Sequence, residues 1–164
     1  MQKTLPKISI ITPSYNQAKY INQTILSVLG QNYPNLEYIV MDGGSTDGTI
    51  EILQKYNKKI KWTSEKDHGQ ADAINKGLRL ITGEIVSYLN SDDLLENNCL
   101  ENVSNFFISN PNVNWVTGKC HIINDKGRKN RNFVTAYKNL FAKYLRFLNT
   151  LYILNYISQP ATFW

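Results

Sequence analysis

A chain of 164 residues with 42% hydrophobic residues is long enough to bury the core of one domain, which excludes an intrinsically disordered protein. Two cysteines, Cys99 and Cys120, are too few for a disulfide framework and lack metal-site spacing, so both are expected to be reduced and buried. The net charge of +5 is concentrated in residues 119–164, where eight Lys and Arg accompany one acidic residue, which predicts an acidic partner or an anionic surface there.

The predicted secondary structure alternates between strands and helices from residue 7 onward. Ser14 or Asn16 is expected to cap the first helix, Ser45 or Thr46 the second, and Gly83 to end the third. Apolar spacing predicts, in order, strand 7–12, helix 19–30, strand 37–41, helix 49–56, strand 59–63, helix 71–81, strand 85–89, helix 97–109, strand 113–118, and a strand from 121 that enters a hairpin turn. This order is typical of an α/β fold with a mostly parallel sheet flanked by helices.

The apolar run 85–89 is followed closely by two adjacent carboxylates, Asp92 and Asp93. Neighbouring carboxylates repel each other and lose hydration when partly buried, and a divalent cation with oxygen ligands offsets both effects. An alternative remains open, in which one of the two aspartates caps the helix that is predicted to start near Glu96.

Polar residues also follow two other predicted strands, at 12–16 and at Asp42. The carboxyl ends of parallel strands lie at the same edge of a sheet, and open α/β sheets bind their ligands there. We therefore expect the segments 12–16 and 90–93 and the side chain of Asp42 to meet in one cleft.

Five stretches of the sequence, taken in this order, resemble the family 2 glycosyltransferases with the GT-A fold. They are IITPSYN (10–16), MDGGSTDGT (41–49), DHGQADAINKG (67–77), GEIV (83–86) and NSDD (90–93). The resemblance covers about residues 6–125 and implies a nucleotide-sugar-binding GT-A core over 1–125 and a partial acceptor-side region over 126–164. A dinucleotide-binding dehydrogenase is disfavoured, because no glycine-rich phosphate turn follows the first strand.

The resemblance implies a donor site for a nucleotide-diphosphate sugar. Pro13 and Tyr15 would form the wall against the nucleobase, and Asp42 would accept a hydrogen bond from the base. The residues alone leave an alternative for Asp42, which is to stabilise the glycine turn that follows it. The further residues implied in nucleotide-sugar binding are Thr12, Asn16, Gly69, Gln70, Asn75, Asn90 and Ser91.

The family's metal motif, normally Asp-any-Asp, corresponds to Asn90-Ser91-Asp92 in this chain. Asn90 departs from the pattern, since it keeps a carbonyl oxygen but lacks the charge. The resemblance therefore implies Asp92 as the metal ligand, supported by Asp93, with Mn²⁺ or Mg²⁺ bridging the diphosphate of the donor.

The resemblance also implies an inverting transfer to a growing polysaccharide or a lipid-linked glycan, with a UDP-sugar favoured over GDP- and dTDP-sugars. The family's general base follows the QPATFW stretch at 159–164, so the catalytic residue is expected beyond Trp164 and the chain is expected to be truncated. A second function remains open, that of a nucleotide-sugar-binding module without catalysis.

The sequence also bears on contacts with membranes and with nucleic acids. No stretch reaches the roughly 20 apolar residues of a membrane span, and no signal-peptide pattern is seen, which predicts a cytoplasmic protein. The aromatic and basic stretch 137–156 is interpreted either as a peripheral contact with the inner face of the membrane or as a core or acceptor-side helix. Nucleic-acid binding is not expected, because RNA-recognition and helix-turn-helix patterns are absent.

Overall fold

A computed structural model describes residues 5–124, 128–130 and 159–164. Its central sheet has four parallel strands in the order β3-β2-β1-β4, which are β1 (Ile8–Ser14), β2 (Leu36–Asp42), β3 (Lys61–Ser64) and β4 (Ile85–Tyr88). The helices that connect and follow them are α1 (Ile21–Leu29), α2 (Thr49–Gln54), α3 (Gln70–Leu78) and α4 (Cys99–Ser109). The predicted α/β class with a mostly parallel sheet is confirmed.

Alternating side chains of β1 and β2 form two cores, one on each face of the sheet. On one face, Ile8 and Ile10 belong to a cluster that includes Ile25 of α1 and Leu53 of α2. On the other face, the smaller cluster is formed by Ile11, Ile39, Met41 and Ala73 of α3. Because helices cover both faces, every residue of β1 is buried, which explains why this strand reads as a continuous apolar run.

The predicted helix caps are wrong. The residues before α1 and α2 are Tyr20 and Gly48, and neither helix has a side-chain cap hydrogen bond. Ser14 is instead the last residue of β1, and Asn16 bonds the loop that contains Ser45. Asn16 and Ser45 join their two loops by hydrogen bonds across the sheet edge, between segments far apart in sequence, so local pattern could not reveal these partners.

Gly83 also has a different role from the predicted helix end, since α3 already ends at Leu78. A Cβ atom at Gly83 would lie 2.5 Å from Ser9 Oγ and 2.8 Å from Ser9 N. The residue must therefore be glycine because the chain passes directly against β1 before it enters β4.

The last described residues form part of a separate two-stranded sheet. β8 (Thr162–Phe163) pairs antiparallel with β5 (Val116–Thr117), which is shorter than the predicted strand 113–118. Trp164 and Val86 exchange two backbone hydrogen bonds of 3.0 and 2.7 Å, so this segment also runs along β4.

The predicted hairpin is present as β6 (Ile122–Ile123) and β7 (Lys129–Asn130), which pair antiparallel. The stretch 137–156 lies outside the described residues, and the division at residue 125 stays a prediction. Among the residues that the structure describes, no helix is long and apolar enough to cross a membrane.

Candidate functional site

A cavity of about 590 Å³ opens at the carboxyl-terminal edge of the parallel sheet. The loops after all four strands and the start of α3 contribute to its wall. Its lining residues are Pro13, Ser14, Tyr15, Gln17, Gly43, Lys66, Asp67, Gly69, Gln70, Ala73, Asn90, Ser91 and Asp92. This is the edge at which open α/β sheets bind ligands, and β1 lies between β2 and β4 where the chain order reverses.

The structure brings most of the predicted site residues into this one cavity. Those that line it are Pro13, Tyr15, Gly69, Gln70, Asn90, Ser91 and Asp92. Five others do not line it, namely Thr12, Asn16, Asp42, Asn75 and Asp93. Asn75 is exposed on α3 and Asn16 is exposed after β1, whereas Thr12 and Asp42 are buried and Asp93 is half-buried. The lining also includes residues that were not among the predicted site residues, namely Ser14, Gln17, Gly43, Lys66, Asp67 and Ala73.

The Tyr15 ring is the most exposed aromatic surface of the cavity, with 62% of the residue accessible. Tyr15 directly follows β1, whose last two residues, Pro13 and Ser14, are buried. An exposed ring on a fixed backbone offers an apolar face on which a planar ligand can stack at little entropic cost.

Asn16 and Thr12 support this loop from outside the cavity. The Asn16 N–H donates to Ser45 Oγ (2.8 Å), and the Thr46 N–H donates to Asn16 Oδ1 (2.9 Å). Thr12 is fully buried, and its Oγ1 lies 3.0 Å from the Tyr38 hydroxyl. Both residues therefore hold neighbouring segments together, and their predicted contacts with a nucleotide sugar stay predictions.

Asp42 is 2% exposed, and its carboxylate oxygens accept hydrogen bonds mainly from the turn that follows β2. Its Oδ2 accepts hydrogen bonds from the N–H groups of Gly44 (3.0 Å) and Ser45 (2.9 Å) and from Ser64 Oγ (2.7 Å). Its Oδ1 accepts a hydrogen bond of 2.5 Å from Ser45 Oγ. This geometry supports the alternative in which Asp42 stabilises the glycine turn.

Asp67 is a carboxylate in the cavity wall that sequence reasoning did not single out. Its Oδ1 accepts a hydrogen bond from the Gly69 N–H (2.8 Å). A Cβ atom at Gly43 would lie 2.8 Å from Asp67 Oδ2, so only glycine at position 43 leaves room for this carboxylate. The available signal was its position at the start of the DHGQADAINKG stretch.

A network of four side-chain hydrogen bonds around Asn90 extends from the loop after β4 to α3 and to the last described segment. Gln70 Nε2 donates to Asn90 Oδ1 (2.6 Å), and Asn90 Nδ2 donates to Asp93 Oδ2 (3.0 Å) and to Gln159 Oε1 (3.3 Å). Gln159 Nε2 in turn donates to the carbonyl oxygen of Tyr88 (2.6 Å). The network uses both the donors and the acceptor of an asparagine amide.

Asp92 and Asp93 differ in their surroundings. Asp92 is exposed and lines the cavity, and no described residue donates a hydrogen bond to its carboxylate. Asp93 is half-buried, and this burial together with the charge of Asp92 raises its pKa, while the hydrogen bond from Asn90 opposes the rise. α4 begins at Cys99 after Asn98, so the alternative that an aspartate caps this helix is wrong.

These two carboxylates fit a hard divalent cation only together with further oxygen ligands. Within residues 5–124, 128–130 and 159–164, no group of three or more His, Cys, Asp or Glu is placed to hold a metal ion. Mg²⁺ and Mn²⁺ sites that use phosphate oxygens of a substrate need only one or two carboxylates from the protein. The free Asp92 carboxylate at the cavity wall matches that kind of site.

Comparison with known proteins identifies the family. The model of Glycosyl transferase family 2 matches residues 9–162. The chain belongs to this family. Solved structures of glycosyltransferases with the GT-A fold share its architecture, which confirms the predicted fold.

Two curated relatives show how much of the family's length this chain represents. An uncharacterized glycosyltransferase of Haemophilus influenzae is 43% identical over 110 residues, which are 65% of this chain and 44% of that protein. The putative teichuronic acid biosynthesis glycosyltransferase TuaG of Bacillus subtilis is 42% identical over 107 residues, covering 63% of this chain and 42% of TuaG. The chain thus spans less than half the length of these relatives.

Two solved structures are similar to the chain and contain nucleotide sugars. S. aureus TarS 1–349 in complex with UDP-GlcNAc matches with a TM-score of 0.60 and 32% identity over 63% of this chain and 31% of that one. The mannosyltransferase PcManGT from Pyrobaculum calidifontis, in complex with GDP-Man and Mn²⁺, matches with a TM-score of 0.64 and 29% identity over 74% of this chain and 37% of that one.

Proposed function

We propose that this family 2 glycosyltransferase binds a nucleotide-diphosphate sugar in the cavity at the sheet edge and transfers its sugar to a glycan or lipid-linked acceptor. The observation that carries the proposal is the arrangement of the cavity wall, which includes both an exposed aromatic ring, Tyr15, and an exposed carboxylate, Asp92. The ring suits a nucleobase, and the carboxylate suits a cation that binds a diphosphate.

The base end of the donor site is assigned to the loops after β1 and β3. Tyr15 and Pro13 would stack against the base, and Asp67 supplies a carboxylate that can accept hydrogen bonds from its edge. The exposed side chain of Lys66 lines the same cavity and adds a positive charge that favours an anionic ligand. We favour a UDP-sugar as the donor, and the similarity to TarS, solved with UDP-GlcNAc, supports this choice.

The diphosphate end is assigned to the loop after β4. Asp92 would hold Mn²⁺ or Mg²⁺, with Asp93 beside it, and the similarity to PcManGT, solved with Mn²⁺, supports a divalent cation. When bound, such a cation offsets the negative charge that develops on the leaving nucleoside diphosphate. Asn90 cannot add a charge, but Gln70 fixes its side-chain amide at the cavity wall.

The transfer itself is proposed to invert the anomeric centre. The acceptor hydroxyl would attack the anomeric carbon from the face opposite the diphosphate, while a general base takes the proton of that hydroxyl. If only binding is found, the alternative of a nucleotide-sugar-binding module without catalysis holds for this chain.

Thermal unfolding with UDP, GDP and dTDP, each with and without Mn²⁺, tests the donor site. A ligand that binds only the native state raises the melting temperature by mass action. We expect a metal-dependent rise with UDP that is lost in Asp92→Ala and kept in the control Glu101→Ala, which removes an exposed carboxylate from α4. The absence of any rise with all three nucleotides would refute the proposal.

A further inference from the structure

A row of polar side chains runs along one side of α1 and consists of Thr24, Ser27 and, just beyond the end of the helix, Gln31. Spacings of three and four residues place these side chains on the same side of a helix. All three bond the backbone of the loop between β4 and α4, which carries Asp92. The bonds are Thr24 Oγ1 to Ser91 O (2.8 Å), Leu95 N–H to Ser27 Oγ (3.1 Å) and Gln31 Nε2 to Glu96 O (3.0 Å). Residues 89–98 belong to no helix or strand, so their backbone groups need such partners.

The bond from Thr24 holds the peptide group that precedes Asp92. Thr24 is fully buried and Ser91 is 5% exposed, so the bond is shielded from water. The Ser91 carbonyl oxygen belongs to the peptide group between Ser91 and Asp92, and because this group is planar, fixing its oxygen also orients the Asp92 backbone. The Asp93 N–H donates to the Asn90 carbonyl oxygen (3.1 Å), so residues 90–93 form one turn, and Thr24 anchors its middle to α1.

The position of the Asp92 carboxylate depends on this backbone. The residue is exposed in the cavity wall, and no described residue donates a hydrogen bond to its carboxylate. The direction in which the carboxylate points therefore follows from the backbone at 91–92 and from the rotation of its own side chain. Loss of the Thr24 hydroxyl would release this backbone without altering any residue that lines the large cavity.

We propose that Thr24 is a positioning residue for the cation site, because it keeps the Asp92 carboxylate turned toward the place where a divalent cation would bind together with a diphosphate. This assignment rests on the proposed nucleotide-sugar function. Groups that hold a metal ligand in place affect metal affinity although they do not touch the metal. α1 also follows directly on the segment that carries Tyr15, so the same helix connects the base end of the donor site to its cation end.

Calorimetric titration of the 164-residue chain with UDP, at a fixed Mn²⁺ concentration and again with EDTA, tests the assignment. Thr24→Val keeps the shape of the side chain and removes its hydroxyl. We expect the gain in UDP affinity that Mn²⁺ provides to fall roughly tenfold in this variant, the lower end of the usual effect of such supporting groups. UDP affinity with EDTA should stay unchanged, because the base end is intact. Thr24→Ser retains the hydroxyl and should restore the gain from Mn²⁺.

Two further variants separate positioning from stability. Ser104→Ala removes a buried hydroxyl that accepts a hydrogen bond from Tyr33 (3.0 Å), so it should lower the melting temperature and leave both UDP affinities unchanged. Ser27→Ala removes the bond to the Leu95 N–H and should reduce the gain from Mn²⁺ by a smaller factor than Thr24→Val. If Thr24→Val does not fold, an unchanged gain in Ser27→Ala refutes the proposal in its place.

The remaining outcomes distinguish this assignment from the proposed function. A wild-type gain from Mn²⁺ in folded Thr24→Val, or equal losses of UDP affinity with Mn²⁺ and with EDTA, would refute the role of Thr24 alone. Binding of UDP by the wild type without any gain from Mn²⁺ would refute the cation site and this assignment but leave the nucleotide site standing. Failure of the wild type to bind any nucleotide would refute the proposed function as well.

Discussion

Asn90 Nδ2 donates a hydrogen bond of 3.0 Å to Asp93 Oδ2, so an amide stands between the carboxylate of Asp93 and the cavity. An aspartate at position 90 would accept hydrogen bonds but could not donate one. Asn90, at the first position of the Asp-any-Asp motif, therefore suits Asp93 because it donates a hydrogen bond to it. An aspartate there would add a third negative charge to those of Asp92 and Asp93.

We expect Asn90→Asp to destabilise the protein without ligand by about 1–3 kcal/mol at pH 7, because it leaves Asp93 unpaired and adds charge repulsion. The deficit should shrink as the pH is lowered, because burial and the charge of Asp92 raise the pKa of Asp93 and so favour its neutral form. Urea unfolding at pH 7 and at lower pH measures this, with the exposed Asn102→Asp as a control that should change little. Equal stability of the variant and the wild type at pH 7 would contradict the explanation.

Glu37 is a buried acid far from the cavity whose charge stabilises the fold. Burial opposes its ionisation, but hydrogen bonds from Ser9, from the backbone and side chain of Thr82 and from Lys61 outweigh burial and lower its pKa from 4.5 to about 2. Because the pKa is lower in the folded state, the stabilisation is complete above pH 4.5 and is lost as the pH falls toward 2.

We therefore expect Glu37→Gln to cost about 3 kcal/mol at pH 7, the free energy that corresponds to a pKa shift of this size. The difference from the wild type should shrink between pH 4.5 and 2, and denaturant unfolding across that range measures it. The exposed Glu101→Gln serves as the control. A difference that stays constant down to pH 2 would mean that the Glu37 charge is not the stabilising feature.

Gly43→Ala tests whether the position of the Asp67 carboxylate depends on the absence of a side chain at residue 43. The new Cβ atom would lie 2.8 Å from Asp67 Oδ2 and should displace this carboxylate from the cavity wall. We expect roughly tenfold weaker UDP binding, as for the loss of one hydrogen bond, with a small change in stability. In the control Gly118→Ala, the nearest atom is Ala161 Cβ at 3.7 Å, so calorimetry should show unchanged affinity.

Phe163 shows how much the last described segment contributes to the core. Its side chain is 1% exposed and belongs to the large cluster on the α1 face of the sheet. We expect Phe163→Ala to cost about 3–5 kcal/mol, the usual range for a buried phenylalanine, measured by denaturant unfolding. Phe106 is 37% exposed, and Phe106→Ala should cost clearly less. Similar costs for both variants would mean that β8 does not pack as described.

The sequence by itself determined the fold class and the edge of the sheet where the site lies. Strand and helix periodicities are local, so they predicted the parallel sheet, and the polar residues after the strands then had to converge on one edge. Tyr15, Asn90 and Asp92 were predicted in this way, whereas Gln70 was implied by the family resemblance, and all four line the cavity.

Only the tertiary structure decided how individual polar groups are used. The turn after β2 and Ser64 occupy the oxygens of Asp42, Gly43 leaves room for Asp67, and Gln159 bonds Asn90 across 69 positions of the chain. The Ser14 hydroxyl is likewise unpaired because the described residues place no donor or acceptor within hydrogen-bonding distance of it. A side chain with several donors or acceptors can form hydrogen bonds of similar energy with local or with distant groups. Its partners are therefore fixed only when packing brings one group of them within about 3 Å.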